Sequence, residues 1–159
     1  MRKSSIKHFI VIFLLVCLTS FSTFASSIRP SNINMLMSNS LNSLSNIQKQ
    51  LETISKNLYV STSENTNENS LKQLAIYSNQ LNTIKNELES ISETSLNQSQ
   101  IDVYRALLSV ERFLDYIALK TATLAQTNDQ FEKYDILNTI VVTNTLVEIM
   151  LSNITVPQS

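Results

Sequence analysis

The stretch QIDVYRALLSVERFLDYIALKTATLAQ (residues 100–126) carries the clearest structural pattern in this chain. Its mainly apolar stripe repeats at steps of 4, 3, 4, 3, 4 and 3 residues, the spacing of one side of an α-helix that packs against other helices. Tyr104, Leu108 and Phe113 widen the stripe, and Ser99 with Asp102 resembles a helix-starting capping box. The stripe consists of Val103, Leu107, Val110, Leu114, Ile117, Thr121 and Leu124.

Two similar stripes precede it. One helix is predicted over residues 31–61 and a second over residues 69–93. The polar stretches STSENTNENS (61–70) and ETSLNQSQ (93–100) separate the three stripes, so both are expected to be loops. The two stripes consist of Ile33, Met37, Leu41, Leu44, Ile47, Leu51, Ile54 and Leu58, and of Leu71, Leu74, Tyr77, Leu81, Ile84, Leu88 and Ile91.

A fourth helix is predicted to follow the loop and cap at residues 127–130 and to end near Asn153, before Pro157. Its segment ILNTIVVTNTLVEIML (136–151) is apolar on most sides and has only a narrow polar strip. The β-branched residues of TIVVTNTLV (139–147) leave a strand as an alternative. The helix is preferred because the flanking residues continue the same winding.

Four long helices joined by short polar loops predict an all-α fold, an antiparallel up-down-up-down four-helix bundle. The chain has 159 residues, a length typical of one domain. We therefore expect a signal peptide over residues 1–25 and a single helical-bundle domain over residues 26–159.

The leader prediction rests on the N-terminus. Arg2, Lys3 and Lys7 precede the apolar run FIVIFLLVCL (9–18), which is shorter than a membrane span, and Thr23 and Ala25 match the signal-peptidase pattern before Ser26. One alternative is a lipoprotein acylated at Cys17, although Val16 fits poorly before that cysteine. The other is an uncleaved anchor. Cleavage by a Sec-type pathway would place the protein in the periplasm or outside the cell.

Cleavage before Ser26 would change the available chemistry. The only histidine, His8, and the only cysteine, Cys17, would leave with the leader. His- or Cys-based metal sites, haem ligation, catalytic triads and disulfides then have no residues to form them. Gly-rich phosphate loops are excluded because the chain contains 0 glycines. We therefore expect no cofactor and no bound metal.

Nine of the 12 basic residues would remain against 13 acidic ones, a net charge of −4. Such a chain lacks the basic patch that binds nucleic acid. Glu111 and Asp115 lie one helical turn apart, and paired carboxylates can catalyse hydrolysis. Arg105 and Arg112 lie on the same helix, so surface ion pairing explains these carboxylates better, and a non-enzymatic protein is predicted.

The fourth helix gives the one positive indication of function, because it has more apolar residues than a single buried stripe needs. Either it lies centrally and contacts all three other helices, or part of it forms a binding surface or an oligomer contact. Met35 adds a flexible contact residue near the start of the first helix. The alternative is that Leu36 or Met37 beside it simply fills the end of the core. The candidate partner surface consists of Val141, Val142, Ile149, Met150 and Met35.

These features predict an exported binding protein, foremost a secreted bacterial effector or host-interaction protein with a virulence-associated role. Its expected partner is a protein, with membrane lipid as another candidate, and the chain itself is expected to be a monomer or a weak homo-oligomer. The alternatives are a resident periplasmic accessory, inhibitor or sensor-like module, and a bundle that binds anionic lipid.

The leader prediction is tested by the intact mass of the native protein in separated cell and medium fractions. A mass that begins at Ser26 is expected, because signal peptidase cuts after small residues at positions −3 and −1. A cell-bound acylated mass beginning at Cys17 would instead identify a lipoprotein, and an uncut mass would identify an anchor.

Overall fold

A computed structural model describes residues 33–60 and 64–157, and within those ranges it contains four α-helices and no strand. The all-α prediction is therefore confirmed, and the strand alternative for residues 139–147 is wrong. The predicted signal peptide lies outside the described residues. The helices are α1 (Ile33–Val60), α2 (Glu64–Glu89), α3 (Gln98–Gln126) and α4 (Gln130–Asn153), with a 3-10 turn at Glu93–Ser95 between α2 and α3.

Buried apolar side chains from all four helices form one core. Every residue of the α3 stripe is buried, and Leu107 and Leu114 are 0% exposed. The α1 stripe is buried as well, apart from Leu41, which packs against the core from its edge. Each fully buried leucine or isoleucine stabilises the fold by about 1.5–3 kcal/mol relative to an exposed position.

The relation between α1 and α3 is fixed by two hydrogen bonds. Gln100 Nε2 donates to Asn34 Oδ1 at 2.8 Å near the start of both helices. Near their ends, the hydroxyls of Ser55 and Thr121 are hydrogen-bonded at 2.7 Å. Both bonds join residues 66 positions apart, so α1 and α3 run in the same direction without a change of register. Both helices pack against all the others, whereas α2 and α4 lie on opposite sides of this pair and contact each other only marginally.

The predicted loop over residues 61–70 is wrong for most of its length, because α2 already begins at Glu64. A helix does not need apolar residues in its first turns, because polar residues are compatible with helical geometry as well. The predicted core residue Leu71 is 40% exposed near this end of α2. At its other end α2 stops at Glu89, four residues earlier than predicted.

The cap of α3 differs from the expected one, whereas the cap of α4 lies within the predicted segment 127–130. The α3 capping box consists of Asn97 and Gln100, not Ser99 and Asp102: the Asn97 side chain accepts from the Gln100 amide, and the Gln100 side chain accepts from the Asn97 amide. At α4, Asp129 Oδ1 accepts from the backbone amides of Phe131 and Glu132. Both caps satisfy backbone donors that the first helical turn leaves without partners.

The core assignment predicts the effect of a charge in the α3 stripe. Leu107→Asp and Leu114→Asp should each abolish the cooperative thermal unfolding transition measured by circular dichroism, because a buried carboxylate would have no partner. Leu119→Asp is the matched control on the same helix, since Leu119 is 64% exposed, and it should melt like the parent. Equal melting of the Leu107 and control variants would contradict the packing of α3.

Candidate partner-binding surface

The inner side of α4 belongs to the core, while its outer side is apolar as well. Ile136, Ile140 and Val147 are buried against α1 and α3. The large apolar side chains on the remaining surface of the helix are 43% to 86% exposed. We call these six residues the α4 face: Phe131, Tyr134, Val141, Val142, Leu146 and Ile149.

Three residues of this face are aligned along the helix. Phe131, Val142 and Ile149 are 11 and 7 residues apart, so they point in nearly the same direction at 3.6 residues per turn. The line is about 27 Å long at 1.5 Å per residue. Val141 and Leu146 lie on its two flanks. The exposed Asp135 and Asn138 lie on the same side between Phe131 and Val142, so the apolar residues are grouped mainly around Val142 and Ile149. Single exposed apolar residues are ordinary, but such a group on one side of a helix is typical of an interaction surface.

The structure brings together most of the residues that the sequence suggested for a partner surface. Val141, Val142 and Ile149 are 45%, 63% and 54% exposed. Met150 is only partly accessible, because it packs against the core. The alternative in which the fourth helix lies centrally and touches all three others is wrong, since α4 packs on α1 and α3 and hardly on α2.

Met35 is not part of the same surface. It is 59% exposed in the first turn of α1, beside the fully buried Met37. Ser55, which lines a pocket together with Val141, lies 20 residues further along α1, a rise of about 30 Å. Met35 is therefore an exposed residue remote from Val141, and Met37 fills the core end as the alternative interpretation expected.

An open groove of about 510 Å³ between α3 and α4 borders the α4 face on one side. Phe113 and Tyr116 supply its apolar surface, and Arg112 supplies a positive charge. Phe113 was expected to widen the buried α3 stripe, but it is 36% exposed. Its position on the edge of the stripe could have indicated this, because an edge residue is buried only if a neighbouring helix covers it. Ser109 and Thr143 complete the lining.

A smaller pocket of about 80 Å³ lies between α1 and α4 on the other side of the face. Asn144 forms its polar wall, with Nδ2 donating to Glu52 Oε2 at 3.4 Å and Oδ1 without a hydrogen-bond partner. Lys56 Nζ pairs with Glu52 Oε1 at 2.5 Å. The sequence gives no sign of this pocket, because Glu52 and Asn144 on its two sides are 92 positions apart. Its lining consists of Glu52, Ser55, Lys56, Leu137, Ile140, Val141, Asn144, Thr145 and Glu148.

Glu111 is not the surface residue that the sequence suggested, because it is only 3% exposed. Burial, reinforced by the nearby charges of Asp115 and Glu89, raises the pKa of the Glu111 carboxyl to about 7, although Lys85 and Arg112 oppose the shift. The expected pairing of Arg105 with these carboxylates is also wrong, since Arg105 Nη2 donates to Glu93 Oε2 at 3.1 Å.

Two further features of the described residues concern metal binding and membrane insertion. Within residues 33–60 and 64–157, no group of three His, Cys, Asp or Glu side chains is placed to hold a metal ion. The α4 helix contains an 18-residue window with a mean hydropathy of 1.2, so it is long and apolar enough to cross a membrane by length and composition alone. Only 22% of that window is buried, although α4 buries Ile140 and Val147 in the bundle.

The chain matches no protein-family model, and no curated protein and no solved structure resembles it significantly. The α4 face, with the groove and pocket beside it, is the feature of the structure that points to a function.

The buried carboxyl of Glu111 predicts a pH-dependent stability. Below pH 4.5, the ordinary pKa of a glutamate carboxyl, the carboxyl is mostly protonated in both folded and unfolded chains. Between pH 4.5 and about 7, only the folded chain keeps the proton, so the free energy of unfolding should fall as the pH rises. The loss amounts to about 3 kcal/mol over this range and then levels off.

Glu111→Gln should remove this loss, because the amide stays neutral at every pH, and it should make the protein more stable than the parent at pH 8. Urea unfolding at pH 4.5, 6 and 8 measures the effect. Glu87→Gln removes the same charge from an exposed position on α2 and should preserve the parent's pH dependence. A Glu111→Gln variant with the parent's pH dependence would show that another group is responsible.

Proposed function

We propose that this protein is an exported, non-enzymatic binding protein whose α4 face engages a partner protein. The observation that carries the proposal is the exposure of the six apolar residues of α4 on a helix whose other side is part of the core. Apolar side chains that remain in water do not stabilise the monomer. A partner that covers them would remove apolar surface from water at about 25 cal/mol per Å².

The proposed architecture is an antiparallel up-down-up-down bundle released by cleavage before Ser26. The short connections between helices support the antiparallel order, as does the common direction of α1 and α3. The leader pattern supports export to the periplasm or the cell exterior. The role we infer is that of a secreted bacterial effector or host-interaction protein, ahead of a resident periplasmic accessory module.

A membrane partner is the second candidate, favoured by the composition of α4. The charges around the face count against anionic lipid. Glu132, Asp135 and Glu148 are exposed on α4, and Lys133 is the only basic residue of that helix. Such a rim repels anionic headgroups more than it attracts them, so a protein surface suits the α4 face better.

The proposal is tested by replacing two residues at the centre of the face. The double variant Val142→Lys/Ile149→Lys should melt like the parent, because both residues are exposed, yet it should lose the partner captured by the parent. Two buried charges without partners would weaken such an interface by at least about tenfold. Capture is measured by quantitative mass spectrometry from the medium or the host-cell surface.

The matched control is Leu71→Lys/Ile76→Lys, which places two lysines on exposed apolar positions of α2, on the opposite side of the bundle. It should retain the captured partner. Equal capture by the parent and both double variants would reject the α4 face as the binding surface. Co-sedimentation of the parent with neutral or anionic vesicles, lost in Val142→Lys/Ile149→Lys, would identify a membrane partner instead.

A further inference from the structure

The pocket between α1 and α4 has an excess of hydrogen-bond acceptors. Glu52 and Glu148 contribute carboxylates and Asn144 contributes an amide oxygen. The only cation in the lining is Lys56, which already pairs with Glu52. Glu148 forms no ion pair within the described part of the chain. The pocket therefore has a net charge of −1, concentrated on its α4 side.

Asn144 shows which chemical group the pocket lacks. The residue is only 6% exposed, and its Nδ2 group is directed to the Glu52 carboxylate. The orientation of the amide leaves Oδ1 as a buried acceptor with no hydrogen-bond partner. An amide oxygen can only accept, and a buried polar atom without a partner is uncommon and unfavourable. Oδ1 itself is closed to solvent, so the acceptors that a group entering the pocket can reach are the carboxylates of Glu52 and Glu148. What the pocket can receive is therefore a donor.

The size of the pocket limits that donor to a small group. A volume of about 80 Å³ exceeds the roughly 10–15 Å³ of cavity volume that a single water needs, so an ammonium or guanidinium head fits. Lys56 does not supply it, because its side chain is 61% exposed. The other walls are apolar, formed by Leu137, Ile140 and Val141. Basic side chains bury their methylene stems against such surfaces.

The pocket and the α4 face share a boundary. Val141 belongs to both, and Thr145 and Glu148 lie one and two turns further along the same edge of the helix. A partner that covers the line of Phe131, Val142 and Ile149 would pass directly beside the pocket mouth. Apolar contact at the centre with charged contacts at the edge is the usual arrangement of a protein interface.

We propose that this pocket receives a lysine or arginine side chain from the protein that docks on the α4 face. The cationic head donates to the Glu148 carboxylate, with the Glu52 carboxylate nearby in the same lining, and its stem packs against Val141. The partner is thus an amphipathic surface that combines an apolar strip with a basic residue at its edge. This inference rests on the proposed function and adds the chemistry of the partner to it.

The pocket is tested first with a probe that does not depend on the partner. Ethylguanidinium chloride is titrated into the protein at constant ionic strength, with the Asn144 side-chain amide followed by NMR. Saturable shifts at Asn144 are expected, with a dissociation constant on the order of millimolar, as is usual for a ligand of so few atoms. Ethylurea, which has nearly the same shape without the charge, should cause much smaller shifts.

Two variants on α4 distinguish binding in the pocket from a general attraction of cations to the acidic residues of this helix. Glu148→Gln removes a pocket carboxylate and should weaken ethylguanidinium binding roughly tenfold. Glu132→Gln removes the same charge from a position outside the pocket and should bind like the parent. Absence of saturable shifts at Asn144, equal shifts with ethylurea, or equal weakening by both variants would overturn the proposal.

The source of the cation is tested with the captured partner. Glu148→Gln should weaken capture of the partner in the parent's assay, whereas Glu132→Gln should not. Suppose that capture is lost in Val142→Lys/Ile149→Lys but unchanged in Glu148→Gln. The α4 face would then remain the binding surface, and the proposal that a basic side chain of the partner enters the pocket would be overturned. If the pocket binds ethylguanidinium but the parent protein captures no partner, the proposal of a cation supplied by a partner is rejected together with the proposed function.

Discussion

The contact between α1 and α3 is the interaction on which the rest of the structure depends. These two helices pack against each other along their full buried stripes, and each also packs against both remaining helices. The hydrogen bond between Ser55 and Thr121 joins them, and the hydroxyl that accepts in this bond donates to a carbonyl of its own helix. With 0 glycines and a single cysteine in the chain, the fold relies on this packing and not on covalent links.

Because α1 and α3 occupy the centre, α2 and α4 are outer helices that each bury one side. The polar outer side of α2 suits that position. The α4 helix does not suit it equally, since Val142, Leu146 and Ile149 remain in contact with water. Its composition resembles that of a central helix, while its location is peripheral. This conflict between local composition and position is the physical basis for assigning a binding role to α4.

Polar groups at the helix interfaces make the two edges of the α4 face chemically different. Asn144 and Glu52 make the α1 side of the α4 face rich in acceptors. Arg112 and the aromatic rings of Phe113 and Tyr116 make the α3 side cationic and aromatic. Between α2 and α3, the buried Glu111 makes the stability of the fold depend on pH, and it lies away from both edges of the α4 face. A partner would therefore meet an apolar strip with chemically different edges.

Local patterns in the sequence were enough to predict the four helices and most of the core, because the spacing of residues such as Leu107 and Leu114 is a local property of the chain. These patterns failed where burial depends on neighbours: Leu71 and Phe113 are exposed, Glu111 is buried, and residues 64–70 are helical without an apolar stripe. Which side of α4 faces water depends on its packing against α1 and α3, since that helix is apolar on most sides. Only the tertiary structure joins Asn144 to Glu52, because side chains 92 positions apart meet only through packing.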